Sequence, residues 1–293
     1  MDRRGFLKTL GLAGATLAVP AGGNAAEPQR GVEPYGVLVD TTRCAGCNSC
    51  TYACAEANGL PEPEDPDAVT RPTTEQWTAV RGFETSKGEV YVKRQCMHCV
   101  TPACGSACLT AAMRKTDQGP VVWREEKCMG CRFCMVSCPF DGPKFEYSSA
   151  NPRVRKCVLC ADRLAKGEEP ACVENCPEEA LTFGKRADLL RIAHKRIANA
   201  PDHYVDHIYG EREAGGTSWL YLARVPFGEL GFPTDVGEAS YPSLTTGFLY
   251  SVPMVLTLAP ALMLGVARAT NGEVAEDAAS APPPDAAGEE VES

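Results

Sequence analysis

The sixteen cysteines of this 293-residue chain constrain its fold more than any other feature, because they fall into four groups of four with nothing left over. The groups are Cys44, Cys47, Cys50 and Cys54; Cys96, Cys99, Cys104 and Cys108; Cys128, Cys131, Cys134 and Cys138; and Cys157, Cys160, Cys172 and Cys176. So many cysteines demand disulfides or metal. The first and third groups have the C-x2-C-x2-C-x3-C run that presents thiolates to [4Fe–4S] cubes. The second stretches one gap to four residues and the fourth stretches one to eleven. Pro139 and Pro177 follow the last cysteines of the third and fourth groups. Structural zinc favours paired C-x2-C units, often with histidine, and of the four histidines only His98 lies among these cysteines. A tight loop gives three thiolates to three corners of one cube, and the fourth cysteine, a helical turn later, reaches a second cube. Spacing alone leaves open which groups pair.

Short apolar segments accompany the quartets. Gly36 to Asp40, Glu89 to Val92 and Pro120 to Trp123 precede the first three; Lys144 to Tyr147 follows the third and Ala180 to Phe183 the fourth. The recurrence reads as a duplicated small module. Strands this short are expected to pair with one neighbour each, leaving little apolar core and making metal the main organiser. The fold class expected is α+β, with tandem bacterial-ferredoxin-like dicluster modules of short strands and helices and one C-terminal transmembrane helix. The cluster domain is bounded at 37–185. Residues 60–88, rich in Pro, Glu, Asp and Thr, read as a surface insertion pinned by Trp77 and Phe83. Residues 186–243 read as a helix and an extension; the helix, Lys185 to Asn199, has Leu189, Leu190, Ile192, Ala193 and Ile197 at helical spacing. A Gly- and Pro-rich extension that wraps the core or a partner follows, with one β-like run at Ser218 to Val225.

Both ends point to the cell envelope. Residues 1–26 have the order of a signal peptide, and the string Arg3-Arg4-Gly5-Phe6-Leu7-Lys8 resembles a twin-arginine export signal. Cleavage is expected after Ala25 or Ala26. That route carries proteins already folded, which suits metal loaded in a reducing cytoplasm; disulfides would form after export. Residues 239–267 hold no charge, and 244–267 are long enough to span a bilayer, which takes about 20 residues. Tyr241 and Tyr250 are candidate interface aromatics, and Pro253 and Pro260 are expected to kink the helix. Residues 268–293, acidic and with three consecutive prolines, read as a disordered tail. The net charge of −9 argues against nucleic acid as a partner.

No Walker loop or dinucleotide fingerprint is present, so the chain reads as a non-catalytic electron-transfer subunit rather than an enzyme with its own substrate. Asp40 and Asp162 are expected in solvated loops. His98 reads equally as a tuner of cluster potential or a packed loop residue. His194, His203 and His207 read as surface or partner contacts. Arg43, Lys127, Arg132 and Lys156 lie beside ligands, where positive charge would raise a cluster potential.

The four quartets, in this order and with these gaps, resemble the four-cluster ferredoxin-like subunits of membrane oxidoreductases: formate dehydrogenases, nitrate and polysulfide reductases, and the hydrogenase-2 type of [NiFe] hydrogenase. The strings Gln95-Cys96-Met97-His98-Cys99 and Cys128-Met129-Gly130-Cys131-Arg132-Phe133-Cys134-Met135 carry the likeness. Leu109 departs from it, since the family usually has proline there. The resemblance implies four [4Fe–4S] clusters, the first quartet pairing with the fourth and the second with the third. The implied ligand sets are Cys44, Cys47, Cys50 with Cys176; Cys54 with Cys157, Cys160, Cys172; Cys96, Cys99, Cys104 with Cys138; and Cys108 with Cys128, Cys131, Cys134. His207-Ile208-Tyr209-Gly210-Glu211, Gly215-Gly216-Thr217 and Val225-Pro226-Phe227 narrow the resemblance to the hydrogenase-2 type. It implies a relay between a periplasmic hydrogenase and an integral membrane quinone-reactive subunit, at the periplasmic face of the inner membrane. A molybdopterin oxidoreductase or a multihaem cytochrome is the alternative partner.

Overall fold

A computed structural model of the chain describes residues 33–280, so the expected signal peptide (1–26) and residues 281–293 lie outside the described residues. The chain divides into two compact units, with the boundary between Leu244 and Thr245.

In the first unit, strand β1 (Tyr35–Asp40) is the organising element. Its residues Val37, Leu38 and Val39 are at most 1% exposed, which requires cover on both faces and both edges. Helix α1 (Ser49–Asn58) follows it. Strands β2 (Ala79–Thr85) and β3 (Gly88–Arg94) form an antiparallel hairpin. Helix α2 (Ala103–Ser106) leads to the antiparallel pair β4 (Met113–Lys115) and β5 (Val121–Trp123). Helix α3 (Phe133–Val136) leads to β6 (Lys144–Phe145) and β7 (Val154–Arg155), also antiparallel. Helices α4 (Ala161–Ala165) and α5 (Ala171–Glu174) precede β8 (Leu181–Lys185). Helix α6 (Arg186–Asn199) and strand β9 (Trp219–Leu222) complete the unit.

β1 lies at the centre of a three-stranded sheet, antiparallel to β8 (Val37 opposite Phe183) and parallel to β9 (Val37 opposite Trp219). Alternation along the strands sorts their side chains between two cores. Val37 and Val39, with Trp219 and Tyr221, enter one core together with Val92, Leu159, Tyr209, Phe227, Leu230 and Phe232. Leu38, Leu220 and Leu222 enter the other, where Leu189, Ala193 and Ile197 of α6 meet them at helical spacing.

Three expectations are corrected by this arrangement. The segment 60–88 is not loop throughout: its end forms β2, because Ala79 and Val80 are buried and all seven strand residues find partners on β3. β1 pairs with two neighbours rather than one, since a strand apolar on both faces cannot sit at an edge. The first unit also has a sizeable apolar core, and the 186–243 extension supplies much of it instead of wrapping it from outside. Phe83 packs against that core and Trp77 against Cys54, Cys96 and Cys157.

Helix α7 (Tyr241–Ser280) carries the chain into the second unit. Its stretch Tyr241–Thr270 is long and apolar enough to cross a membrane. Pro253 and Pro260 lie inside it, and Thr257 Oγ1 donates to the carbonyl of Pro253 at 3.0 Å. The helix continues past Ala267 to Ser280, so the first part of the expected disordered tail is helical here. Alanine and glutamate, which favour helix, supply six of the thirteen residues from 268 to 280.

Candidate metal centres

All sixteen cysteines are free thiols, which removes the disulfide reading. The fold brings them together in four sets, each built from two quartets. Cys44, Cys47, Cys50 and Cys176 line one cavity with Val39, Val80 and Lys93. Cys54, Cys157, Cys160 and Cys172 line a second, with Thr78, Lys93 and Trp219. Cys96, Cys99, Cys104 and Cys138 form a third cluster of mutually interacting thiols. In the fourth, Cys134 lies beside Cys108, Cys128 and Cys131. Two helix contacts produce the exchange between quartets. α1 packs on α5, carrying Cys54 and Cys172, and α2 packs on α3, carrying Cys104 and Cys134.

The loops share a backbone device. The second residue after the first cysteine of every quartet has a left-handed conformation: Gly46 (φ 74°), His98 (48°), Gly130 (74°) and Leu159 (51°). Asn48 and Arg132, directly after the second cysteines of the first and third quartets, are left-handed too. So are Ala111, Asp141 and Glu179, three residues after the last cysteines of the second, third and fourth quartets. Such turns aim successive N–H groups into a concavity that suits an anion. Met113 donates its N–H to Cys108 Sγ at 3.3 Å, Gly142 to Cys138 Sγ at 3.3 Å, and Leu159 to Cys157 Sγ at 3.4 Å. Glycine signals the turn in two quartets only. His98 and Leu159 adopt it against their preference, at a cost of roughly 1–2 kcal/mol each, so sequence reading missed it there.

Burial pushes the thiols up: Cys50, Cys54 and Cys104 to about 12, and Cys134 to about 11. Cys108 goes the other way, because the N–H of Met113 and the Thr110 hydroxyl outweigh its burial. Thiols held so high stay protonated and neutral at ordinary pH unless a metal replaces the proton. The sets therefore suit a metal group that takes four thiolates at once. Among the described residues no three His, Cys, Asp or Glu side chains could hold a single metal ion. A cube makes a different demand, since its thiolates bind separate iron corners.

Charged side chains near the sulfurs differ in kind. Lys93 is buried, its Nζ donates to Gln95 Oε1 at 3.0 Å, and it lies 4.5 Å from the centre of the Trp219 ring. Burial opposes its charge, but Cys172, Cys50, Cys157 and Cys54 outweigh burial and hold the ammonium above its ordinary range. Sequence reading missed this residue. Lys156 is also buried, donating to the carbonyls of Val121 and Cys157. Lys115 donates to the carbonyls of Cys99 (2.8 Å) and Val100 (3.0 Å). Arg43 pairs with Glu179 at 3.3 Å on the surface, Arg132 lies over Tyr147, and Lys127 is exposed.

His98 Nδ1 accepts the N–H of Val121 at 2.8 Å, and burial, with Lys156 and Lys115 nearby, holds its pKa well below the usual value. It is a packed, neutral ring. Asp40 is not solvated as expected but 1% exposed, accepting hydrogen bonds from Arg196 (3.1 Å) and Tyr204 (2.8 Å). Asp162 is exposed. His194 pairs with Glu211 and His207 with Glu213, at 3.0 and 2.7 Å, in a cleft that Phe227 and Val236 also line. His203 meets the edge of Tyr204.

Four sets of four thiols on ferredoxin-type loops define an iron–sulfur electron-transfer protein. Residues 88–186 match the model of the 4Fe-4S dicluster domain. The chain belongs to the family of iron–sulfur electron-transfer subunits of hydrogenase, formate dehydrogenase and dimethyl sulfoxide reductase type oxidoreductases. It is 46% identical over 286 residues to a protein of Nitratidesulfovibrio vulgaris, covering 92% of this chain and 77% of the relative. It is 35% identical to the hydrogenase-2 operon protein HybA of Escherichia coli, covering 80% and 84%. The iron–sulfur subunit of nitrate-inducible formate dehydrogenase of Escherichia coli is 32% identical, with 82% and 87% covered.

Proposed function

We propose that the chain holds four [4Fe–4S] clusters on the four sets described above and passes electrons between a periplasmic hydrogenase and an integral membrane quinone-reactive subunit. The observation that carries this reading is the exchange of one cysteine between paired quartets, so that sixteen sulfurs resolve into four sets of four. When bound, each cube accepts and releases one electron. The residues of this chain hold the thiolates, bury Cys54, Cys157 and Cys172 of the second set and Cys96 and Cys104 of the third, and keep neighbouring sets at fixed separation through the packed helix pairs. Around the fourth set, Leu109 (81% exposed), Met129, Phe133 and Val136 (84%) are exposed apolar side chains close to exposed Cys131. A partner covering this face would shield the set from solvent and come within tunnelling reach of it.

The likeness to HybA favours a hydrogenase partner. The similar coverage of the formate dehydrogenase subunit supports the same role beside a molybdopterin enzyme. The twin-arginine-like string and α7 support export and a membrane anchor, with the cluster domain on the periplasmic side.

The test is Cys134→Ser in the assembled complex. Hydrogen-dependent quinone reduction is expected to collapse, while hydrogen oxidation with a soluble acceptor survives because that acceptor takes electrons upstream. Loss of both activities in an assembled variant would place catalysis partly in this chain. Loss of neither would make the clusters structural. Absence of hydrogen-linked activity in wild-type membranes would refute the hydrogenase partner and leave the carrier role standing.

A further inference from the structure

Lys93 is a buried lysine whose charge is coupled to cysteine sulfurs, those of Cys172, Cys50, Cys157 and Cys54. Its ammonium donates to the neutral Gln95. Gln95 in turn donates to Tyr221 Oη at 2.6 Å, and Tyr221 Oη donates to the carbonyl of Lys93 at 3.0 Å, closing a ring of contacts that fixes the lysine stem. The Trp219 ring takes up the ammonium on another side. Burying a charge is costly without an opposite charge nearby. Here the opposite charge is divided: Lys93 lines the cavity of the first set and also that of the second. The thiols coupled to it, Cys50 and Cys172 among them, come from these two sets. The charges that act on the third set are different ones, Lys156 on Cys104 and Cys138 and Lys115 on Cys99.

Resting on the four-cluster reading, we propose that Lys93 is a tuning charge shared by the first two clusters, those of the Cys44 and Cys54 sets. It raises both potentials together and leaves the other two unaffected. A loaded set is anionic and becomes more so on reduction. A fixed positive charge in a water-excluded site favours the reduced form, and its effect falls with distance. A single lysine between two sets makes their potentials rise or fall as a pair, which keeps the step between them level while setting both against the rest of the chain.

Two substitutions test this in the full, loaded chain. Lys93→Met removes the charge at similar length. Gln95→Glu leaves the lysine and neutralises it with a carboxylate in place of the amide. Iron and sulfide content of the unsubstituted protein is measured first, so that failure of the four-cluster reading shows as a low count independent of either variant. A redox titration followed by electron paramagnetic resonance then reads the cluster signals. Both variants are expected to lower the reduced-to-oxidised ratio of two signals at least tenfold at a given potential, equal to about 59 mV for one electron. The other two signals hold their place. No shift, a shift of all four signals, or a shift of one alone overturns the proposal. So does failure of both variants to hold clusters, which would make Lys93 scaffold and not tuner.

Discussion

Gly46 and Gly130 occupy the same place in the first and third quartets, and both have φ 74°. Their surroundings differ. A Cβ at Gly130 would meet nothing within 4 Å, whereas a Cβ at Gly46 would lie within 2.6 Å of Tyr91 Cε1 and closer still to its Cδ1. Gly130→Ala therefore costs only the left-handed conformation, about 1–2 kcal/mol. Gly46→Ala costs that and the displacement of the Tyr91 ring, a further 1–3 kcal/mol or so by the usual penalty for overpacking. The matched pair separates backbone strain from crowding at equivalent positions of one repeated loop. Anaerobic denaturation followed by bleaching of cluster absorbance, with iron analysis before each run, reads the difference. Gly130→Ala is expected to hold its full iron and lose a small part of its stability. Gly46→Ala is expected to lose about twice as much or more, or to purify short of one cluster. Equal effects, or a larger effect at Gly130, would refute the assignment of these loops as a repeated left-handed turn with unequal packing.

Asp40→Ala leaves Arg196 and Tyr204 without their shared acceptor. With the Arg196 side chain 27% exposed, the expected cost is about 2–3 kcal/mol, below the usual range for a broken buried pair; a loss under 0.5 kcal/mol in equilibrium denaturation would show that the contact does not hold α6 to β1. Deletion of residues 245–293 is expected to move the loaded, exported protein into the soluble fraction of a host lacking membrane partners. Continued retention on the membrane would overturn the role given to α7.

The sequence made the cysteine chemistry legible because ligand spacing is local: a C-x2-C-x2-C run specifies its loop within a few residues. The strands beside the quartets were legible for the same reason. What escaped was long-range or two-sided. The parallel pairing of β1 with β9 joins residues 182 positions apart, as between Val37 and Trp219; the β-like run at Ser218 to Val225 marks the strand but not its partner. Lys93 follows Val92 in a strand where alternation assigns it to the outward face. That rule holds when the outward face meets water; here the cysteine cavities cover it, so the lysine is buried. β2 was hidden by the polar composition around it, since Arg81 and Glu84 are exposed strand positions. The exchange of cysteines between quartets came from family resemblance, because spacing permits neighbouring quartets to pair as well.

The most direct test of the account is the iron and acid-labile sulfide content of the full chain purified without oxygen. Four cubes on sixteen cysteines predict about sixteen iron and sixteen sulfide per chain, with no stoichiometric zinc. Zinc in stoichiometric amount, or about half that iron and sulfide in fully folded protein, would contradict it.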